Sequence, residues 1–430
     1  KILVPSYKFK IKDLLALKRS LLIHSEEYTY ASLLDSNNYD KNINSSYEYI
    51  AGFGAKSIII SSNWEELKAE SQNNKWLFGY LSYDLKNSIE SLNSKNDDGL
   101  EFPDLCFFEP EYLVRIVDGF CEINGANPQN FFNNLPCEKK GINERVVNVN
   151  LASKISKEKY IERVIKLKNH LQLGDIFEVN FCQEFFAKTV EIDPVNIANL
   201  LTDKSPMPFS AYLKIGNKYG ICASPERFIK RKGNNVISQP IKGTIKRGKS
   251  LVEDEALQKM LLEDGKEKAE NVMIVDLVRN DFSRFADIGS VKVEELFGIY
   301  TFPQVHQMIS TVGCKVSNHS SIDIIKDCFP MGSMTGAPKV RAMELIEQYE
   351  STKRGLYSGA IGYIMPNGNF DFNVVIRSVL YNKVNKYLSC MVGGAITAVS
   401  DPEKEYDESL LKAKAIFQIL TNNRLHAEDS

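Results

Sequence analysis

No stretch of this 430-residue chain stays apolar for the roughly 20 residues that a membrane-spanning helix needs. The N-terminus carries no signal-peptide pattern either, so the chain is expected to work in the cytoplasm, away from the membrane. Neither sign of charge is in excess: 53 Lys and Arg stand against 55 Asp and Glu, for a formal net charge of −2. That balance supplies no broad positive field, and nucleic acid is not an expected partner. The eight cysteines include no C-x-x-C pair, which removes a zinc ribbon and a dithiol redox motif. Several, such as Cys222 in "YGICASP" and Cys390 in "YLSCMVGG", lie in apolar strand-like surroundings and are expected to be buried, reduced thiols. No repeat recurs at a fixed period, and no long low-complexity tract is present.

What is present is an ordinary globular composition, 43% hydrophobic and 25% charged, in a chain long enough for a large core. The polar, turn-rich segment at 90–99 reads as an exposed loop, and a second soft zone runs through about 124–144. The texture changes after the second, which places a boundary near residue 150 between an N-terminal region, 1–150, and a larger part, 151–430. In "SKEKYIERVIKLKNHLQLGD", Tyr160, Val164, Leu167 and Leu171 recur on one helical face, and Gly174 ends the helix. "IFEVNFCQEFFAKTVEI" then alternates as a strand. Further strand runs such as "SAYLKIG", "DFNVVIRSVLY" and "YLSCMVGGAITAV" mix with a few helices without strict alternation. The pattern predicts an α+β fold with large, mostly antiparallel sheets.

Several polar groups stand out against this background. "SDPEKEYDESLLKAKAIFQIL" predicts a helix started by Asp401 and Pro402, with Glu405, Glu408 and Lys412 returning to one side at steps of three and four. Two carboxylates one turn apart suit a hard cation such as Mg2+, or simply form a solvated face with an ion pair. Glu270 precedes the apolar part of a second helix, in which Met273, Ile274, Leu277 and Phe282 are the expected buried residues. Asp276, Arg279, Asn280 and Asp281 on that helix suit a structural ion pair. "FPMGSMTGAPKV" joins a Gly-rich loop to a helix, where Ser333, Thr335 and backbone N–H groups suit either a carboxylate or a tight turn. Arg377 lies in an apolar strand-like run and needs an anion, from the protein or from a ligand. Gly393 and Gly394 mark either close approach of a ligand or a bulge, and His306 is one of only five histidines. Lys242, in "QPIKGTIKRG", reads by itself as one more cation.

Taken in order, "GDIFEVNF", "SPERF", "QPIKGTIKRG", "AENVMIVDLVRND", "VHQMISTV", "FPMGSMTGAPKVRAMELIE", "RGLYSGAIGY", "DFNVVIRS" and "SDPEKEYDESLLKA" resemble the chorismate-utilising enzymes, and among them component I of aminodeoxychorismate synthase and of anthranilate synthase. The resemblance covers about residues 155 to 415, with looser agreement in "LFGYLSYDL" and "FPDLCFFEP". It implies a β-sandwich with helices on the outside, the first 150 residues packed against a chorismate-binding catalytic part, and chorismate as substrate. It further implies Glu270, Glu405 and Glu408 as Mg2+ carboxylates. Tyr357, Arg377, Lys412 and the backbone at Gly393 and Gly394 match the groups that hold substrate carboxylates, with Thr335 and His306 lining the pocket near the ring.

Position 242 separates the branches, because anthranilate synthases resemble "PIAGT" there and aminodeoxychorismate synthases "PIKGT", as in this chain. The implied route is attack of Lys242 at C2 of the ring with loss of the C4 hydroxyl, followed by ammonia adding at C4 and displacing the lysine. Lys242 must be neutral to attack, and a desolvated pocket is expected to lower its pKa. Glu226, in "SPERF", matches the acid/base that protonates the departing hydroxyl, a task that requires a raised pKa. Asn271 also agrees with the aminodeoxychorismate branch. Glu178 replaces the usual Gln, and Ala395 replaces a common glycine. Nothing resembles a G-x-C-x-G glutaminase elbow, so nitrogen is expected from free ammonia or from a separate glutamine amidotransferase subunit, which the resemblance implies as partner. The resulting expectation is synthesis of 4-amino-4-deoxychorismate for 4-aminobenzoate and folate. Its alternatives are anthranilate synthesis and a catalytically silent chorismate-binding regulatory subunit.

Overall fold

The computed structural model describes residues 4–39, 45–136, 148–303 and 305–421. Among the described residues two sheets form, of twelve and ten strands, and every strand-to-strand pairing between named strands is antiparallel. The α+β class and the large antiparallel sheets follow the sequence pattern. Leu213, Cys222, Leu380 and Met391 of the larger sheet pack with Phe78, Phe107, Ile229 and Phe372 of the smaller one in a single buried cluster. This is the core of a sandwich, and it forms because alternate residues of each strand point inward. Helices cover the outer faces: Pro402–Thr421 packs on the Tyr387–Ile396 strand, while Gly265–Ser283 lies against the Ile241–Lys246 and Val305–Lys315 strands.

Residue 150 marks no break in either sheet. Strands Ser6–Lys10, Tyr30–Asp35, Tyr49–Phe53, Tyr112–Val117 and Phe120–Asn124 enter the larger sheet; Ser57–Ser61, Leu77–Leu81 and Leu105–Glu109 enter the smaller one. Of the soft zone at 124–144, the described part contains the Pro128–Asn133 helix, anchored by buried Phe131, and residues 137–144 lie outside the described residues. Seven cysteines are free and buried, and Cys137 also lies outside the described residues. No helix among the described residues is long and apolar enough to cross a membrane.

The chain crosses between the two sheets at two neighbouring places. Lys218–Ser224 belongs to the larger sheet and Arg227–Lys232 to the smaller, so Pro225 and Glu226 span the gap. Phe370–Asn373 and Ser378–Asn382 make the same exchange in reverse. The run expected as one strand through Arg377 is therefore broken at Val374–Arg377, and Arg377 takes φ 51°, a left-handed conformation uncommon for a side chain of its size. The crossings are bonded to each other, Val374 N–H donating to Glu226 O at 3.0 Å and Ala223 N–H to Arg377 O at 3.1 Å.

Candidate active site

Lys242 stands where the ends of the two sheets meet. The Ile241–Lys246 strand is the last of the smaller sheet, and its register against Val305–Lys315 slips between Ile241 and Thr244. The slip is a bulge that accommodates Lys242 and Gly243, with Gly243 at φ 93°. Opposite, the larger sheet ends with Tyr387–Ile396, Glu178–Ala187 and the two-residue Gly336–Ala337 strand. Lys242 Nζ donates to Glu178 Oε1 at 2.6 Å across the junction.

Four further carboxylates bear electrostatically on this amine: Glu226 at the crossing, Glu267 and Glu270 on the Gly265–Ser283 helix, and Glu408 on the Pro402–Thr421 helix. Burial opposes the charge on Lys242, but Glu178, Glu270 and Glu226 outweigh it, and the Lys242 pKa is raised. The expected lowering is thus reversed, because desolvation of one cation is overcome by the negative charge gathered around it. Glu226 is buried, and burial pushes its carboxyl up to about 7, against the pull of the nearby Ser333 hydroxyl and the Lys242 charge. Burial likewise lifts Glu270 to about 7, helped by Glu178 and Glu267.

The remaining expected residues fall into three groups. Glu405 is buried, and Lys266 Nζ lies between it and Glu270, 3.5 Å from Glu405 Oε1 and 3.7 Å from Glu270 Oε1. Glu408 pairs with Lys412 at 2.9 Å, and Lys412 also donates to Gly393 O at 3.2 Å. A Cβ on Gly394 would lie 3.5 Å from Glu405 Oε2 and 3.6 Å from Lys412 Nζ, so the bare backbone leaves this corner open. Tyr357 is buried, its hydroxyl 4.0 Å from Cys182 Sγ. Thr335 is fully buried and turns its hydroxyl back to Met331 O and Gly332 O, while its own carbonyl receives Asn180 N–H at 2.8 Å.

Two residues stand apart from this set. Both ring nitrogens of His306 are engaged, with Asp254 Oδ1 at 2.9 Å and Thr301 Oγ1 at 3.0 Å, which leaves none free for a ligand. Arg377 has no carboxylate in ion-pair contact among the described residues, and its guanidinium lies 3.9 Å from Met207 Sδ. Burial alone lowers its pKa to about 10. Arg377 is half-buried by exposure, and a guanidinium without an anion is costly there, so the site offers a cation with no carboxylate partner among the described residues.

Sequence reasoning passed over Lys266, although its spacing of four from Glu270 on a helix was visible. It also missed the support beneath the site. Arg354 donates to both Glu350 oxygens, at 2.6 and 2.9 Å, and to the carbonyls of Asn180 and Met334. Asp276 and Arg279 form the expected ion pair, but an exposed one, while Asp281 is buried against Lys339 at 2.7 Å.

The chorismate binding enzyme family matches residues 29–418, and the chain belongs to that family. A probable chloroplastic aminodeoxychorismate synthase from Oryza sativa is 36% identical over 386 residues, covering 80% of this chain and 43% of that protein; the chain thus matches less than half of the rice protein's length. An anthranilate synthase component 1 from Acetivibrio thermocellus is 35% identical over 373 residues, covering 80% of this chain and 74% of that one. The crystal structure of anthranilate synthase component I from Streptococcus pneumoniae superposes with a TM-score of 0.75 at 23% identity, covering 96% of this chain and 92% of that one, a likeness of fold.

Proposed function

We propose that the chain converts chorismate and ammonia to 4-amino-4-deoxychorismate, as component I of an aminodeoxychorismate synthase supplying 4-aminobenzoate for folate. The two kinds of relative are about equally similar, so the reading rests on one observation: a lysine amine at position 242, re-aimed by a bulge and facing Glu226 within a ring of carboxylates.

In this reading Lys242 attacks C2 of the ring as its neutral amine, and Glu226, its carboxyl held near 7, protonates the C4 hydroxyl so that it departs as water. Ammonia then forms a bond at C4 and Lys242 leaves from C2. Arg377, Tyr357, Lys412 and the open backbone at Gly393 and Gly394 receive the substrate carboxylates.

Mg2+ fits the carboxylates on chemical grounds. Glu270 Oε1 is buried without a hydrogen-bond partner, and burial, helped by the Glu178 and Glu267 carboxylates, holds its carboxyl near 7 against the pull of Lys242 and Lys266. No group of three potential ligands is gathered among the described residues, and Lys266 lies between two of the expected ones. Glu270 and Glu405, with Glu408, would hold the ion, which when bound neutralises the ring carboxylate of the substrate. Nitrogen comes, in this proposal, from a separate glutamine amidotransferase subunit.

The test is incubation with chorismate, Mg2+ and ammonium at alkaline pH, with the product identified by mass spectrometry. Aminodeoxychorismate is expected. Anthranilate with released pyruvate, or full activity in Lys242→Ala, would overturn the proposal.

A further inference from the structure

Lys242 must give up a proton before it attacks, yet its surroundings favour the charged form. Among the described residues its only ion-pair partner is Glu178, at 2.6 Å, with the two side chains 10% and 1% exposed. Glu178 Oε2 is buried and has no hydrogen-bond partner. The position of Glu178 is fixed by the backbone on both sides: it pairs with Ala337 across the sheet edge, Phe177 N–H donates to Ala337 O and Asn180 N–H to Thr335 O. The other carboxylates facing Lys242 are Glu226, Glu267, Glu270 and Glu408, and none lies within ion-pair distance of Nζ.

Resting on the reading of Lys242 as nucleophile, we propose that Glu178 is a positioning residue that holds the amine and accepts its proton, so that the nucleophile is generated inside the site. One N–H bond of the Lys242 ammonium breaks and an O–H bond forms on Glu178, turning an ion pair into two neutral groups. Exclusion of water by a bound substrate penalises the charged pair more than the neutral one. The free amine then forms the C2–N bond while the C4–O bond breaks, and the oxygen leaves as water with the Glu226 proton. When ammonia bonds to C4, the C2–N electron pair returns to Lys242. Glu178 hands its proton back to that amine, and the new C4 ammonium gives one proton to Glu226. Every group ends as it began. A carboxamide at position 178 would hold the amine equally well and could not take its proton.

The experiment reads formation of the Lys242 adduct, chorismate less water, by intact-protein mass with chorismate and Mg2+ but no ammonia. Wild type, Glu178→Gln, Glu178→Asp and Lys242→Ala are compared from about pH 6 to about pH 9. In wild type the pair keeps its proton, whereas in Glu178→Gln the lysine must lose one to solvent. The variant is expected to react about 100-fold more slowly near neutrality, with its rate relative to wild type rising about tenfold per pH unit. Glu178→Asp should recover part of the rate with the wild-type pH dependence. A wild-type adduct with Glu178→Gln equally fast, or with an unchanged pH profile, overturns this proposal alone. Absence of any adduct in wild type overturns the nucleophile reading and this proposal with it.

Discussion

Lys242 and Glu226 have opposite proton requirements within one buried site, and their surroundings serve them differently. Glu226 is lifted to about 7 chiefly by burial, so its neutral, donating form prevails below that pH and is lost above it. The wild-type rate of adduct formation should therefore fall as pH rises past about 7. Glu226→Gln should lose about 100-fold or more of the rate, together with that alkaline limb. Stopped mass measurements across pH check both, and a variant retaining the limb would assign it to another group, Glu270 first. The sequence named these two residues only through the company they keep. It could not give the raised Lys242 pKa, because that is a sum over carboxylates from several separate elements, and only the folded geometry sets their distances.

Single elements were read well where one face decides burial. The Lys157–Leu173 helix buries Tyr160, Val164, Leu167 and Leu171 and ends at Gly174, φ 80°, as its spacing predicts, and Ser156 caps its start. The Gly265–Ser283 helix was placed, but its buried face is turned: Glu270, Asn271 and Asp281 are inside while Met273 and Leu277 are half-buried. Hydrophobicity alone misleads there, since the helix presents polar groups to a site. Lys266 on its exposed flank leads to a prediction about the metal. Its ammonium competes for the oxygens of Glu270 and Glu405, so Lys266→Met should tighten Mg2+ binding about tenfold by calorimetry, and Glu405→Ala should weaken it. Weaker binding in Lys266→Met would show that Lys266 organises the carboxylates instead. The Gly-rich loop is subject to a sharper demand. At Gly336, φ is 146° and a Cβ would lie 2.1 Å from Glu178 O. Gly336→Ala should therefore cost roughly 1–3 kcal/mol in denaturant unfolding and slow adduct formation by displacing Glu178.

At the scale of the molecule, the site exists because the two sheets exchange strands and end beside each other. Antiparallel alternation predicted large sheets, but no local pattern told that Glu226 and Arg377 sit on adjacent crossings: the run through Arg377 reads as one continuous strand, and nothing in "SPERF" marks a change of sheet. What holds the junction is a buried guanidinium. Arg354 and Glu350, with side chains 1% and 2% exposed, tie the carbonyls of Asn180 and Met334 and the Cys182 N–H into one network. That network clamps the Glu178–Ala187 strand to the loop before Gly336, hence Glu178 to its place opposite Lys242. Removing one partner leaves the other charge buried and unpaired, so Arg354→Met should cost about 3–5 kcal/mol in denaturant unfolding. Arg354→Met with Glu350→Leu removes both charges and should recover much of that loss, because an apolar pair requires no solvation. Recovery of stability without recovery of adduct formation would separate the two tasks of the network, holding the fold and aiming Glu178. Full recovery of both would mean that the sheets alone fix the junction.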